Sequence, residues 1–204
     1  MKTVYLILGS IGSGKSVVAD FLLSDHTFDN IEYAGSDMYK TQYFDYDVSV
    51  DKSGYRCADE LMFYRVEHIC KSDNDFVLEF CPTNLNKIET VKYILRNYNY
   101  NVVTFFVCTE SRDINVSRCK SREGKGADQV PEAKIKSRYD DVLNRAIEIV
   151  DLSDKTYFID NSKDVPKVVA FLGEEQLIVL DGSCVWFTNN IEKKLIYLEE
   201  KSNG

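Results

Sequence analysis

The feature that most constrains this chain is the octapeptide GSIGSGKS at residues 9–16. It fits the pattern G-x-x-x-x-G-K-[S/T], in which glycines let backbone N–H groups curl around phosphate oxygens. In such a loop the Lys15 ammonium reaches the β- and γ-phosphates, and the Ser16 hydroxyl ligates Mg²⁺. An apolar run at residues 3–8 precedes the loop, and a helical pattern at residues 15–24 follows it. The sequence therefore predicts a site for a nucleoside triphosphate, with a helix N-terminus adding positive potential.

Strand-length apolar runs alternate with helical patterns along the rest of the chain. We expect strands at residues 3–8, 31–34, 76–80, 101–108, 156–159 and 177–180. Helices are expected at 15–24, 57–70, from Asn84 or Asn86 to about 98, 111–122, 132–150, 165–172 and 188–201. The alternation predicts an α/β fold of the P-loop NTPase/kinase type, with three layers and a mostly parallel central sheet flanked by helices.

The length of 204 residues and the scarcity of proline, which occurs three times, predict a single domain over residues 1–204. Within it we expect a lid at about 118–131, a C-terminal extension at about 182–204, and a mobile, tyrosine-rich, substrate-side segment at 39–55.

Composition excludes several classes of function. The chain carries 25 Lys and Arg residues against 33 Asp and Glu, a net charge of −8, so it has no overall basic field to attract nucleic acid. No apolar run approaches the roughly 20 residues that cross a bilayer, and none resembles a signal peptide. Six cysteines without a C-x-x-C pair, and only two histidines, give little material for a zinc site. We therefore expect a cytoplasmic enzyme that binds no membrane, and the acidic charge argues against nucleic acid as its partner.

The signatures of a switch GTPase are not convincing. Residues 51–54, DKSG, fit D-x-x-G but lack an apolar strand in front of them. Residues 161–164, NSKD, have the wrong order for the guanine-reading N-K-x-D. The sequence therefore does not predict a switch GTPase, and the expected ligand at this point is a nucleoside triphosphate with Mg²⁺. The residues expected to contact it are Gly9, Ser10, Ile11, Gly12, Ser13, Gly14, Lys15, Ser16 and Val17, with Ser16 on the metal.

Two carboxylates are candidates for the acceptor side of a phosphoryl transfer. Asp37 follows the second expected strand, where it serves either as the base for an attacking hydroxyl or as a helix N-cap. Glu79 lies at the end of the third expected strand, at the edge where open α/β sheets bind ligands. It assists Mg²⁺, binds a sugar hydroxyl, or is a buried structural carboxylate.

A cluster of cations stands out in this acidic chain. Arg118, Lys120, Arg122 and Lys125 lie within eight residues, directly before and within a glycine-containing loop. Arg118 and Arg122 are one helical turn apart and share a face. The cluster is either a phosphate-clamping lid or a solvated helix end favoured by the helix dipole. Arg138, on the next helix, is a further candidate for charge stabilisation.

These residues resemble the zeta-toxin family of P-loop kinases, especially the short bacterial proteins called predicted ABC-type ATPases. The likeness extends over residues 3–162. Besides the P-loop, it comprises residues 35–37 and 79, Arg118 to Arg122, VPE at 130–132, Ile135, RY at 138–139 and DNS at 160–162. Where the family has Glu-Thr-Thr, this chain has EFC at 79–81, so Thr83 is the candidate for a replacement hydroxyl.

The resemblance implies ATP-dependent phosphorylation of a sugar hydroxyl; in zeta toxins the substrate is UDP-N-acetylglucosamine, phosphorylated at its 3′-hydroxyl. It further implies that Asp37 is the base, that Glu79 contacts the sugar, and that Arg118, with Arg122 or Arg138, stabilises charge. No sequence feature identifies an antitoxin partner. Two alternatives stay open: a kinase of a nucleoside, nucleotide or nucleic-acid 5′-hydroxyl, and an ATP-binding regulatory module without kinase activity.

Overall fold

The computed structural model describes residues 2–24, 31–35, 52–123, 129–173 and 176–202, the side chains at 52–57 and 198–202 excepted. The strands are β1 (Thr3–Gly9), β2 (Glu32–Gly35), β3 (Phe76–Phe80), β4 (Asn101–Cys108), β5 (Lys155–Asp160), β6 (Lys167–Gly173) and β7 (Gln176–Val179). The helices are α1 (Lys15–Leu23), α2 (Lys52–Lys71), α3 (Leu85–Asn97), α4 (Arg112–Arg122), α5 (Glu132–Asn144) and α6 (Ala146–Leu152). At the C-terminal end a short turn, α7 (Val185–Phe187), runs through a π-helical turn (Thr188–Glu192) into α8 (Lys193–Ser202).

The strands form one sheet in the order β2-β3-β1-β4-β5-β6-β7. All pairs from β2 to β5 are parallel, and β6 and β7 add antiparallel strands at one edge. The prediction of a mostly parallel sheet flanked by helices is confirmed. Because β1 lies between β3 and β4, the loop that leaves β1 is surrounded by the carboxyl ends of its neighbours, where α/β folds bind ligands.

Apolar side chains cover both faces of the sheet, as parallel strands require. On one face, Leu6 and Leu8 of β1 pack with Phe80 and Phe106 against helices α2, α3, α5 and α6 and the C-terminal segment. On the other face, alternate strand residues pack against α1; they are Ile7, Val77, Val107 and Ile159, with Val18 and Ala19 from the helix. Among the described cysteines, Cys70, Cys81, Cys108 and Cys119 are buried free thiols, and Cys184 is a half-buried one. Burial raises the pKa of the Cys108 thiol to about 12.

The prediction of a helix at residues 165–172 is wrong. From Lys167 onward these residues form strand β6, which pairs antiparallel with β5. A short apolar run fits a buried helix or a strand about equally well by its pattern. Two adjacent β-branched residues, Val168 and Val169, favour the extended conformation, and the open edge of β5 supplies backbone partners for it.

Two further boundaries differ from expectation. The single helix expected over 132–150 is two helices, α5 and α6, because Arg145 (φ −95°, ψ 7°) leaves the helical conformation between them. The expected mobile segment 39–55 overlaps α2, which begins at Lys52, while residues 39–51 lie outside the described residues. No helix in the described ranges is both long and apolar enough to cross a membrane.

Candidate phosphate-binding site

The loop between β1 and α1 has the backbone that its glycines predict. Gly12 (φ 79°) and Gly14 (φ 89°) adopt left-handed conformations that side chains disfavour. The carbonyl of Gly14 accepts from the amides of Val17 (3.0 Å) and Val18 (3.3 Å), so α1 starts directly behind the loop. The first helical amides are therefore directed at whatever the loop encloses, which is the arrangement of an anion site.

The buried amide of Asn115, on α4, holds the first half of the loop at Ser10 and Ile11. Its Nδ2 donates to Ser10 Oγ and to the carbonyl of Ile11, both at 2.8 Å, while its Oδ1 accepts from Thr109 Oγ1 at 2.5 Å. Asn115 is fully buried. Sequence reasoning missed this residue, because nothing in its local pattern separates it from an exposed asparagine on a helix.

A second side-chain amide, that of Asn161, holds the loop at Ser13. Its Nδ2 donates to the carbonyl of Ser13 at 2.8 Å, and its backbone amide donates to the carbonyl of Cys108. A β-carbon on Gly14 would collide with this Asn161 amide, so Gly14 is required for space as well as for its φ. The resemblance included Asn161 in the DNS motif, and the structure places it against the phosphate loop.

Lys15 and Ser16 are the first two residues of α1, directly behind the loop. Lys15 Nζ donates to the carbonyl of Ser10 at 3.2 Å, which folds its side chain over the loop. Ser16 Oγ donates to Glu79 Oε1 at 3.1 Å. Glu79 is 5% exposed, and its other oxygen accepts from the Tyr33 hydroxyl at 2.8 Å. The structure thus places a buried carboxylate directly beside the expected metal ligand.

Two buried polar atoms beside the loop have no hydrogen-bond partner within the described parts of the chain. They are Ser13 Oγ and Arg118 Nη1. Arg118 Nη1 lies close to the loop, since a β-carbon on Gly14 would be 3.8 Å from it. Burying a hydrogen-bonding group without a partner costs about 1–3 kcal/mol, and more for a charged one. A hydroxyl and a guanidinium left unpaired at a phosphate loop fit a polyanionic ligand that supplies the missing acceptors.

The other described cations of the expected clamp, Lys120, Arg122 and Arg138, show no contact with the loop. Arg122 is exposed, and its Nε donates back to the carbonyl of Arg118 at 3.3 Å. Lys120 pairs with Glu132 of α5 at 2.8 Å. Arg138 is half-buried on α5 and makes no hydrogen bond or ion pair with the described residues. Lys125 lies outside the described residues. Among the described cations of this set, Arg118 is the one with an atom close to the phosphate loop.

The other residues expected to contact the nucleotide or the acceptor have different surroundings in the structure. Ile11 packs between α4 and α5 against Val116, Cys119 and Ile135, so it anchors the loop through its side chain. Val17 is 54% exposed on the first turn of α1. Thr83 lies in the turn after β3, where its amide donates to the Cys81 carbonyl at 2.9 Å and its hydroxyl has no partner among the described residues. Asp37 lies outside the described residues.

Buried hydrogen bonds also tie the neighbouring strand ends together. Tyr139 donates to the carbonyl of Thr109 at 2.6 Å, and burial raises the pKa of Tyr139 well above its usual value of 10. The phenol therefore stays a donor at neutral pH. Asp160, the last residue of β5, accepts from Ser162 Oγ (2.6 Å) and Trp186 Nε1 (3.0 Å). These contacts fix the segments that carry Asn115 and Asn161.

The donors present fit Mg²⁺ better than a transition metal. The described residues contain no group of three or more His, Cys, Asp and Glu side chains that could hold a metal. Mg²⁺ keeps several waters and is commonly bound through one or two protein oxygens together with substrate phosphates. Ser16 Oγ and Glu79 Oε1 provide such a pair next to the phosphate loop.

Comparisons with known proteins bear on the fold that carries this site. No family model and no curated protein matches the sequence. Among solved structures, one from the PezAT chromosomal toxin-antitoxin system of Streptococcus pneumoniae has a TM-score of 0.66 at 14% identity, covering 98% of this chain and 85% of that one. The AvrRxo1-ORF1:-ORF2 structure with ATP gives 0.65 at 12% identity, covering 89% of this chain and 61% of that one. A kinase described as putative, from Chloroflexus aurantiacus, gives 0.56 at 17%, covering 68% and 78%.

At these identities the comparisons establish the fold. The chain has the P-loop kinase fold of zeta-toxin-like proteins, which confirms at the level of the fold the resemblance seen in the sequence. The chain spans between 61% and 63% of the length of the AvrRxo1 chains that it matches.

Proposed function

We propose that this protein is an ATP- and Mg²⁺-dependent phosphotransferase that phosphorylates a hydroxyl of a small molecule. The observation that carries the proposal is the phosphate loop with two unpaired buried donors, Ser13 Oγ and Arg118 Nη1, beside it. A regulatory module that only binds nucleotide also needs the loop. The buried Glu79 beside Ser16 favours the enzyme, because it adds a metal-side carboxylate, which phosphoryl transfer uses.

In the proposed reaction the acceptor oxygen forms a bond to the γ-phosphorus, and the bond to the β,γ-bridging oxygen breaks to release ADP. Backbone amides of the loop, Lys15 and Arg118 bind the phosphate oxygens and stabilise the charge that spreads over them. Ser16 and Glu79 are the residues that would hold Mg²⁺, and the ion would supply charge neutralisation at the β- and γ-phosphates. Asp37 takes the proton of the acceptor hydroxyl, a role carried over from the family resemblance.

The contact with Ser16 bears on the two roles that the sequence left open for Glu79. A carboxylate that shares a hydrogen bond with the metal-ligand serine is directed toward the metal, so we propose the metal side for it. The sugar contact implied by the family then has to come from other residues. UDP-N-acetylglucosamine is the first acceptor to test. An antitoxin partner and a lid at residues 118–131 stay predictions.

The test measures ADP release from Mg·ATP with and without acceptors: UDP-N-acetylglucosamine, a panel of small hydroxylated metabolites and nucleosides, and a 5′-hydroxyl oligonucleotide. Lys15→Ala is the blank. Lys71→Ala is its matched control, since Lys71 is an exposed helix lysine paired with Glu67. We expect acceptor-stimulated release in wild type and the control, and its loss in the blank.

Each result supports one of the candidate functions. Stimulation by UDP-N-acetylglucosamine or another small hydroxylated metabolite supports the proposal and identifies the substrate class. Stimulation by nucleosides alone replaces it with the nucleoside kinase. Stimulation by the oligonucleotide alone, weakening steeply with salt, replaces it with the 5′-hydroxyl kinase. ATP binding without stimulation by any acceptor supports the regulatory module, and full activity in Lys15→Ala overturns the phosphotransferase.

A further inference from the structure

Both oxygens of the buried Glu79 carboxylate are held by hydroxyl groups. Oε1 accepts from Ser16 on α1 at 3.1 Å, and Oε2 accepts from the phenol of Tyr33 on β2 at 2.8 Å. A glutamate carboxylate that is hydrogen-bonded at one oxygen can still rotate about the Cγ–Cδ bond. One that is hydrogen-bonded at both oxygens has a fixed orientation. Tyr33 therefore determines which lone pairs of Glu79 face the phosphate loop.

The strand register explains how Tyr33 reaches this position. In the parallel pair β2–β3, Tyr33 lies opposite Val77 and Gly35 lies opposite Glu79. Residues two apart on a strand share a face, so Tyr33 and Glu79 are diagonal neighbours on the face that α1 covers. Tyr33 packs there against the apolar cluster that contains Val77.

Gly35 provides the space between them. A β-carbon on Gly35 would lie 2.9 Å from the Tyr33 hydroxyl oxygen and 3.2–3.3 Å from two of its ring carbons. The ring thus extends along β2 and covers the position where a side chain of residue 35 would be. A β-carbon on residue 35 would require the Tyr33 ring to shift, which links Gly35 to the Tyr33–Glu79 hydrogen bond.

We propose that Tyr33, given room by Gly35, is a positioning residue that orients Glu79 and thereby strengthens divalent-cation binding at the phosphate loop. The proposal rests on the proposed function, in which Ser16 and Glu79 hold the cation. Groups that orient metal ligands from behind typically change metal affinity by about 10–100-fold when removed.

The test separates the metal from the nucleotide. A fluorescent ADP analogue is titrated in excess Mg²⁺ and in EDTA, and the ratio of the two Kd values gives the metal-dependent gain. We expect Tyr33→Phe to reduce this gain about tenfold and to leave the Kd in EDTA unchanged. A role limited to packing predicts no change in the ratio, because phenylalanine preserves the ring.

The matched control is Tyr157→Phe, which removes a phenol from the same sheet. Tyr157 lies between Phe105 and Phe171, with ring centroids at 5.3 and 4.9 Å, away from Glu79. We expect its ratio to equal that of wild type. Gly35→Ala provides an independent route, since it displaces the intact Tyr33 ring; it should reduce the ratio in the same direction even if Tyr33→Phe fails to fold.

The outcomes distinguish this proposal from the function on which it rests. Wild-type protein that shows no metal-dependent gain, or no binding at all, overturns the proposed cation site and this inference with it. A clear gain in wild type, retained in whichever of Tyr33→Phe and Gly35→Ala folds, overturns the role of Tyr33 alone. An equal loss of affinity in Mg²⁺ and EDTA assigns Tyr33 a structural role and also overturns the proposal.

Discussion

Arg118 and Arg122 are one turn apart on α4, yet their surroundings differ completely. Arg118 has a buried Nη1 without a partner beside Gly14, whereas Arg122 is exposed and donates to the backbone of its own helix. Sequence spacing gave the two the same expected role as a phosphate clamp. The difference arises because a side chain is directed by the surface that its helix packs against, which spacing alone does not specify.

The two arginines therefore give a matched pair of variants. We expect Arg118→Gln to lower kcat/KM for ATP by about 10–100-fold, because a hydrogen bond to a charged phosphate is worth about 1.5–3 kcal/mol. Arg122→Gln should change it less than about threefold. Steady-state kinetics with a common acceptor measures both, with Tm as the check on folding. Equal losses in the two variants would contradict the assignment and restore the two-arginine clamp.

At the scale of elements, α4 and α5 are joined by a small network of exposed charges. Glu132, in the first turn of α5, accepts from Lys120 of α4 at 2.8 Å and pairs with Lys136 at 2.9 Å. Lys136 also pairs with Asp113 of α4 at 3.0 Å. Below these pairs, Val116 and Ile135 are buried with Ile11 of the phosphate loop packed against them. The network therefore lies over the helix pair that supports the loop.

This network predicts a pH dependence. Hydrogen bonds from Lys120 and Lys136 lower the pKa of Glu132 from 4.5 to about 2. A carboxyl whose pKa is depressed by folding stabilises the native state above its unfolded pKa and loses that contribution as the pH falls through the folded value. We expect Glu132→Gln to be less stable than wild type at pH 6, with the difference shrinking between about pH 4.5 and pH 2.

Urea unfolding of wild type and Glu132→Gln across this pH range, at low and high salt, measures the effect. Salt should reduce the difference at pH 6, since these charges are exposed to solvent. A difference that stays constant down to pH 2 would indicate that the glutamine acts through packing or helix propensity instead.

At the scale of the whole molecule, the C-terminal segment is part of the main core. Trp186, Phe187, Ile191 and Leu195 are buried in the same cluster as the central strands. Trp186 stacks on Phe106 of β4, with ring centroids 6.0 Å apart, and donates to Asp160 at the end of β5. The segment expected as an extension at 182–204 thus connects the core to the strand end next to Asn161.

Phe187 tests this connection. It is fully buried, so Phe187→Ala should lower the free energy of unfolding by about 3–5 kcal/mol, the usual cost of such a cavity. Val185→Ala in the same turn is the control; Val185 is 53% exposed, and a change within about 0.5 kcal/mol is expected. Urea denaturation measures both. A small loss at Phe187 would show that the segment is separable from the core.

The sequence by itself determined the phosphate loop, the helix behind it and the parallel strands β1, β3 and β4. These depend on local rules: glycines at positions with positive φ, and continuous apolar runs in strands covered on both faces. It also singled out Lys15, Ser16, Glu79 and Arg118, because motif spacing and strand ends are visible along the chain.

Only the tertiary structure decided which side chains complete the site. Asn115, Asn161 and Tyr33 act on residues between 46 and 148 positions away, so their roles depend on which strands pair and in what register. The same holds for β6, whose residues fit either secondary structure until the free edge of β5 offers backbone partners. Local sequence fixes what a segment can adopt, whereas long-range pairing selects among those conformations and brings distant polar groups to one loop.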